Sequence, residues 1–402
     1  MSVKDKGYDF SVEHHTERMT INMGPSHPAT HGTVRFLLTL DGEIIEKCDV
    51  EIGYLHRAFE KECENQLWTG VFPYTDRLDY TASVANNVGY ALAVEKLIGI
   101  ETPERCQYIR TIISELARLS GHYTNLGAAA AELGAITAFI YLIKAREMLW
   151  DVIESVCGAR LTHNYVRIGG VAADLPASFE SDIKVLFKKN RALWDDYNKL
   201  LTKNRIFLDR MRDVGGLSQE DAISWGFTGP CLRACGVPYD VRKAEPYLVY
   251  DQLDFDIPVG STGDNFDRYL VRMEEVQQSM KIVEQCIEKM PEGPVNIDDP
   301  KWRQPSKDDS STRIESMIHH FKCFIQGQQV PKGEAYFPVE APNGELGFYL
   351  ISNGGGQPVK CRVRAPSFAL TAAMPQLVKG HLMADLIPTF DMINLIGGEC
   401  DR

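Results

Sequence analysis

Three stretches of this chain hold residue types that can move protons or present a charge. The first is Gly24-Pro-Ser-His27-Pro-Ala-Thr-His31-Gly32. Two histidines four apart share a face only on a helix, where they could hold a metal. Pro25 and Pro28 argue against a helix. The segment reads as a loop whose imidazoles could donate protons or hydrogen bonds near neutral pH, and a structural role fits the residue types equally well. The second stretch is Gly53-Tyr-Leu-His56-Arg57-Ala-Phe-Glu60-Lys61. At that spacing Arg57 and Glu60 could simply pair across one helical turn. The third is Pro73-Tyr-Thr-Asp76-Arg77-Leu-Asp79-Tyr80. Tyr80 offers a phenolic O–H that stays protonated at neutral pH. On the first turn of a helix it could point into a cleft, or it could pack.

Cysteines occupy positions 48, 63, 106, 157, 231, 235, 286, 323, 361 and 400, with no Cys-x-x-Cys pair. Cys231 and Cys235 have no second pair to complete a four-ligand metal site and read as small buried thiols. No glycine-rich dinucleotide fingerprint, phosphate-binding loop or Gly-x-Ser-x-Gly elbow is present. We therefore expect this chain alone to bind no metal and no redox cofactor.

The elements that must position these residues follow from periodicity and turn chemistry. A short strand is expected at Met19–Met23. Asp41-Gly42 between two β-rich runs, Thr33–Leu40 and Glu43–Val50, predicts a hairpin. Helical spacing covers Arg77–Leu97. Thr102-Pro103-Glu104 reads as a cap opening a helix to about Ala131. Glu132-Leu-Gly134 reads as a break, and Thr137–Val156 as the next helix. Leu175-Pro176 opens an amphipathic stretch to Leu201, and Asn265–Met290 is another. Pro291–Ser310 reads as a surface linker, Ser316–Phe324 as a short helix. Gly333–Pro338, Glu345–Ser352 and Val359–Val363 read as strands. The class is α+β: a mainly helical core bundle with small antiparallel β-sheets near the N- and C-terminal ends. The segments are 1–18, an extension; 19–75, the hairpin and loop region; 76–290, the helical core; and 291–402, a linker and α+β region packed with the core.

Composition narrows the class. With 402 residues, 44% hydrophobic, 24% charged and net charge −12, the chain is an ordinary globular sequence without the basic surface of a nucleic-acid binder. Its polar start lacks a secretory apolar stretch. The longest apolar run, Leu133–Ile143, is about half a bilayer span. Scattered cysteines without a leader suggest reduced thiols in the cytoplasm.

Ten segments in order resemble one family. They are GPSHPATHG (24–32), IGYLHRAFEK (52–61), PYTDRLDY (73–80), YALAVEKLIGI (90–100), HNYVRIGGV (163–171), VRKAEPY (241–247), PVGSTGDNFDRYLVR (258–272), SMIHHFK (316–322), VRAPSF (363–368) and GECDR (398–402). Together they resemble the D-subunit family of respiratory complex I, the proton-translocating NADH–quinone oxidoreductase, from about residue 18 onward. The resemblance implies the fold of the nickel–iron hydrogenase large subunit. It implies a quinone site in which His31 and Tyr80 hydrogen-bond the headgroup, with Glu132 (generally Asp in the family) as the acidic partner of His31. It places Arg57, and His163 beside the family's usual position at Thr162, near the terminal 4Fe–4S cluster held by a neighbouring subunit. Where the family often has Asp, this chain has Asn394. The implied partners are quinone, the cluster-bearing B-subunit, the C- and I-subunits, and the membrane-embedded A- and H-subunits. The implied location is the cytoplasmic side of the bacterial inner membrane, as a peripheral protein. An active nickel–iron hydrogenase would need two Cys-x-x-Cys pairs. A non-catalytic structural subunit would be expected to lack His31 or Tyr80, and relatives fed by ferredoxin or F420 would share this pattern.

Overall fold

A computed structural model describes residues 18–402; of the extension expected at residues 1–18, residues 1–17 lie outside the described residues and Arg18 opens the first strand. The chain opens with a three-stranded antiparallel sheet, Arg18–Met23, Arg35–Asp41 and Ile44–Glu51, in that spatial order. Alternation along the central strand buries Phe36, Leu38 and Leu40 on one face. That face packs on Leu370, Met374, Leu377, Phe390 and Ile393 near the other end of the chain. Backbone bonds add to the union: Ile45 N–H donates to the His381 carbonyl at 2.9 Å, and Gly380 N–H donates to that of Ile45 at 2.8 Å.

The middle is a bundle. Helix Glu104–Glu132 lies at its centre, against Ile136–Cys157, Asn265–Lys289 and Ser83–Ile98, while Phe179–Leu201 packs on Ile136–Cys157. Burial on most sides of the central helix takes ionic groups inside. Arg110 forms a two-pronged bridge to Glu95 at 2.7 and 2.8 Å. Glu115, Arg118, Arg233, Arg242, Asp240, Glu275 and Glu340 form a buried network with His122 and Tyr250. A second antiparallel sheet, Gly333–Ala341, Gly344–Ser352 and Lys360–Arg364, covers helix Ser83–Ile98. Gly89 makes that close approach feasible, because a Cβ there would lie 2.9 Å from Val339.

The α+β class and nearly every expected element appear, with four differences. The helix expected from Arg77 begins at Ser83. Asp79 Oδ1 instead accepts from Thr81 N–H at 3.0 Å and Thr81 O–H at 2.7 Å, and Asn86 Nδ2 donates to the Thr75 and Asp79 carbonyls. Such side-chain bonds compete with helical ones. Tyr80 is therefore in a turn before the helix, not on its first turn. Pro103 itself is the N-cap of the central helix, and Thr102 makes no capping bond. The stretch opened by Leu175-Pro176 becomes helical only at Phe179. Residues 291–310 are more than a surface linker: Trp302 is buried and its carbonyl accepts from Gln328 at 2.6 Å.

Candidate functional site

The His-containing loop is held from within. Thr30 is fully buried and its hydroxyl donates to the His27 carbonyl at 3.0 Å. His27 Nδ1 accepts from Ala29 N–H at 3.2 Å and caps the short turn Pro28–Thr30, so its role is structural. Gly24 has φ +89°, and a Cβ there would lie 2.3 Å from the Val34 carbonyl oxygen; the loop needs glycine at this point. The turn delivers His31, at φ 54°, as a half-exposed ring. That ring packs against Phe390 with centroids 5.6 Å apart, and its Nε2 is 3.8 Å from Asp391 Oδ1. Burial lowers the pKa of His31 and the charge of Glu132 raises it in part. A neutral imidazole results at pH 7, with one donor and one acceptor nitrogen.

Glu132 is the last residue of the central helix and is exposed. It influences His31 electrostatically, but the carboxylate nearest the ring is Asp391. Sequence reading missed Asp391. The available clue was a single acid inside the apolar helix Leu386–Ile393, LIPTFDMI.

Tyr80 is half-buried. Burial, with Asp79 adding to it and Arg57 opposing, raises its pKa, so the hydroxyl is a neutral donor. Arg57 is exposed and donates to the Arg77 carbonyl at 2.6 Å. It does not pair with Glu60, which instead binds Arg362 and the Val363 N–H. The chain's last residues lock these loops. Asp401 accepts from Gly53 N–H at 3.0 Å and Leu55 N–H at 2.7 Å, and the His56 ring contacts the Asp401 carbonyl at 2.8 Å. Gly398 lies so close under the Arg77 and Leu78 carbonyls that a Cβ would sit 2.4 and 2.7 Å from them. Glu399 is fully buried and accepts from Ser367 N–H at 2.8 Å. Burial and the neighbouring Asp79 push its pKa up to about 8.

One segment, 386–402, thus carries both halves. Helix Leu386–Ile393 faces His31, and helix Gly397–Asp401 supports the turn of Tyr80 and the loop of Arg57. His163 is not at either half's surface. It is buried, its Nδ1 is 2.7 Å from Ser83 Oγ and its Nε2 is 3.1 Å from the Arg160 carbonyl. Burial lowers its pKa to about 4, so it is a neutral ring with both nitrogens engaged. Cys231 and Cys235 are buried free thiols. Among the described residues no group of three His, Cys, Asp or Glu is arranged to hold a metal ion.

Known proteins share this pattern. The family described as "Respiratory-chain NADH dehydrogenase, 49 Kd subunit" matches residues 132–402. One of the NADH-quinone oxidoreductase D-subunits of Sorangium cellulosum is 54% identical over 388 residues, covering 96% of both chains. The D-subunit of Myxococcus xanthus is 53% identical, over 96% of this chain and 93% of its own. That of Paramagnetospirillum magneticum is 45% identical, over 97% of this chain and 100% of its own. With nearly all of its length covered in this way, the chain belongs to the 49 kDa, or D-subunit, family of respiratory-chain NADH dehydrogenase.

Proposed function

We propose that this chain is the quinone-site subunit of a proton-translocating NADH–quinone oxidoreductase, and that His31 and Tyr80 bind the two ends of the quinone headgroup. The observation that supports it is two neutral donors, each partly open to solvent, held by one C-terminal segment. Quinone reduction places negative charge on the carbonyl oxygens, and fixed donors aimed there stabilise it. A Tyr O–H and a His N–H suit that task because neither must be deprotonated beforehand. Glu132 tunes His31 through its charge.

The remainder of the cavity belongs to neighbours. The electrons would come from a 4Fe–4S cluster held by the cluster-bearing B-subunit, to whose charge the exposed guanidinium of Arg57 would respond; His163 would serve there by fixing the loop through Ser83 and Arg160. The C- and I-subunits and the membrane-embedded A- and H-subunits complete the surroundings, at the cytoplasmic face of the bacterial inner membrane. No helix among the described residues is long and apolar enough to cross a membrane, which accords with a peripheral position. The helical core with small antiparallel sheets accords with the fold of the nickel–iron hydrogenase large subunit, without its metal-binding cysteine pairs. The relatives' names specify NADH as the donor of those complexes, and we carry that donor over in preference to ferredoxin or F420.

The test is quinone reductase activity normalised to NADH–ferricyanide activity in the same membranes. Tyr80→Phe and His31→Ala should each lower the ratio by about 10²–10³, the effect of one lost donor to developing charge. Glu132→Gln should have a smaller, pH-dependent effect. Wild-type ratios for both Tyr80→Phe and His31→Ala would move the site elsewhere.

A further inference from the structure

Asp391 is an anomaly in its surroundings. It sits on the apolar helix Leu386–Ile393, is 3% exposed, and neither carboxyl oxygen has a hydrogen-bond partner. Its backbone is fixed, since the Asp391 carbonyl accepts from Asn125 Nδ2 at 2.5 Å. A lone ionised carboxylate in such a place is strongly disfavoured, so it holds a proton or gains a cation. His31 lies beside it, with Nε2 3.8 Å from Asp391 Oδ1. That gap is too long for a hydrogen bond and short enough for one to form by a small ring movement.

We propose that Asp391 is the buried proton store that recharges His31 during quinone reduction. This rests on the reading that His31 faces the headgroup. The two electrons would be supplied to the quinone one at a time from outside this chain, by the cluster that the proposed function assigns to a neighbouring subunit. His31 gives the proton on Nδ1 to one quinone oxygen as that O–H bond forms. Asp391 gives its carboxyl proton to Nε2, so the ring stays neutral and the negative charge moves to Asp391. The second quinone oxygen takes its proton from Tyr80, whose phenolate is reprotonated from solvent. Solvent then protonates Nδ1 by way of Glu132, at the exposed end of helix Glu104–Glu132, and Nε2 returns its proton to Asp391, which restores both the starting tautomer and the protonated carboxyl. Asp391 does not touch quinone here; it is a positioning residue that acts through His31.

The surroundings favour this assignment. The charged groups approaching from neighbouring elements are His31 from the loop, Glu132 from the central helix, and Arg268 and Arg272 from helix Asn265–Lys289. Arg268 Nη1 donates to Asn265, and Arg272 donates to Cys231 and to the Arg268 carbonyl; Arg268 Nε and Nη2 and Arg272 Nε have no partner, and neither arginine pairs with Asp391. Asp385, at the start of the same helix, is paired with Arg210. Burial first, and the charge of Glu132 second, hold the carboxyl of Asp391 well above the usual carboxylate range. With neither oxygen hydrogen-bonded, it holds its proton more tightly than a solvent-exposed carboxyl does.

The experiment uses the assembled complex in membranes. In Asp391→Asn, NADH–ferricyanide activity should persist, while His31 must take each proton directly from water. Its quinone reductase rate should then fall severalfold as pH rises through neutrality, where the wild-type profile stays flat. Asp391→Glu should restore part of the flat profile. Infrared difference spectra of the wild-type complex on quinone reduction should show a D2O-sensitive carboxylic acid band being lost; it should vanish in Asp391→Asn and shift in Asp391→Glu. A wild-type pH profile in Asp391→Asn overturns the proposal, as does the absence of any such band in the wild-type complex, which decides the matter even if the variant fails to assemble. If Asp391→Asn is silent and His31→Ala is not, only this proposal fails. If both are silent, the quinone reading fails with it.

Discussion

Individual side chains in this molecule take their function from where burial leaves them. His27 and His31 are four residues apart and alike in sequence, yet one nitrogen of His27 is committed to Ala29 while the ring of His31 stands half open above Asp391. Arg57 is likewise free of Glu60, and its charge is available to a partner. A positive charge near a redox centre favours its reduced form. If Arg57 faces the cluster that the proposed function assigns to a neighbouring subunit, Arg57→Met should lower that cluster's midpoint potential by on the order of tens of millivolts. Redox titration of that cluster's EPR signal checks this, and an unchanged potential would return Arg57 to a role in holding the Arg77 carbonyl.

At the scale of elements, the C-terminal segment decides the geometry of both donors. Gly398→Ala adds one carbon where two backbone carbonyls leave no room, and backbone cannot step aside as a flexible side chain can. The turn carrying Tyr80 should be displaced, and a misplacement of about 1 Å can cost on the order of 10²-fold in rate. The expected result is a fallen quinone-to-ferricyanide ratio with the complex still assembled; a wild-type ratio would show the turn to be tolerant. Much of this level was legible in the sequence. Asp41-Gly42 marked the hairpin, Gly134 the helix break and Gly158 a helix end, because these are local backbone demands. The start of helix Ser83–Ile98 was not legible, since bonds from Asp79 and Asn86 to nearby backbone override the apolar spacing of residues 77–82. Asp391 escaped for a different reason: spacing cannot show that residues 31 and 391 meet. His31, Tyr80 and Arg57 stood out by residue type, which left their roles open; the family pattern supplied those roles and added Glu132.

For the molecule as a whole, the buried ionic network makes stability depend on pH. His122 is fully buried, donates from Nε2 to Glu275 at 2.7 Å, and has its pKa lowered to about 4, chiefly by burial. The unfolded chain protonates this ring below its ordinary value of 6.5, whereas the folded chain resists until about 4. Between those limits the unfolded state binds more protons, so folding loses stability as pH falls, by up to about 3 kcal/mol from this group. His163 acts in the same direction. Glu399 acts in the opposite one, gaining stability as pH falls from about 8 toward 4.5. The difference between wild type and His122→Gln isolates the histidine. Thermal melting of the two should converge as pH falls from 6.5 to 4, and parallel curves would show that His122 is charged in the fold. The latch of Asp401 on Leu55 spans 346 residues of chain, and this has a consequence in time. Synthesis at about 5–20 residues per second leaves the Arg57 loop waiting for some tens of seconds before its closing partner exists. Contacts of such separation also form late in folding, after the loop entropy between them has been lost. The loop of Arg57 thus stays unlatched until the last residues of the chain have been made.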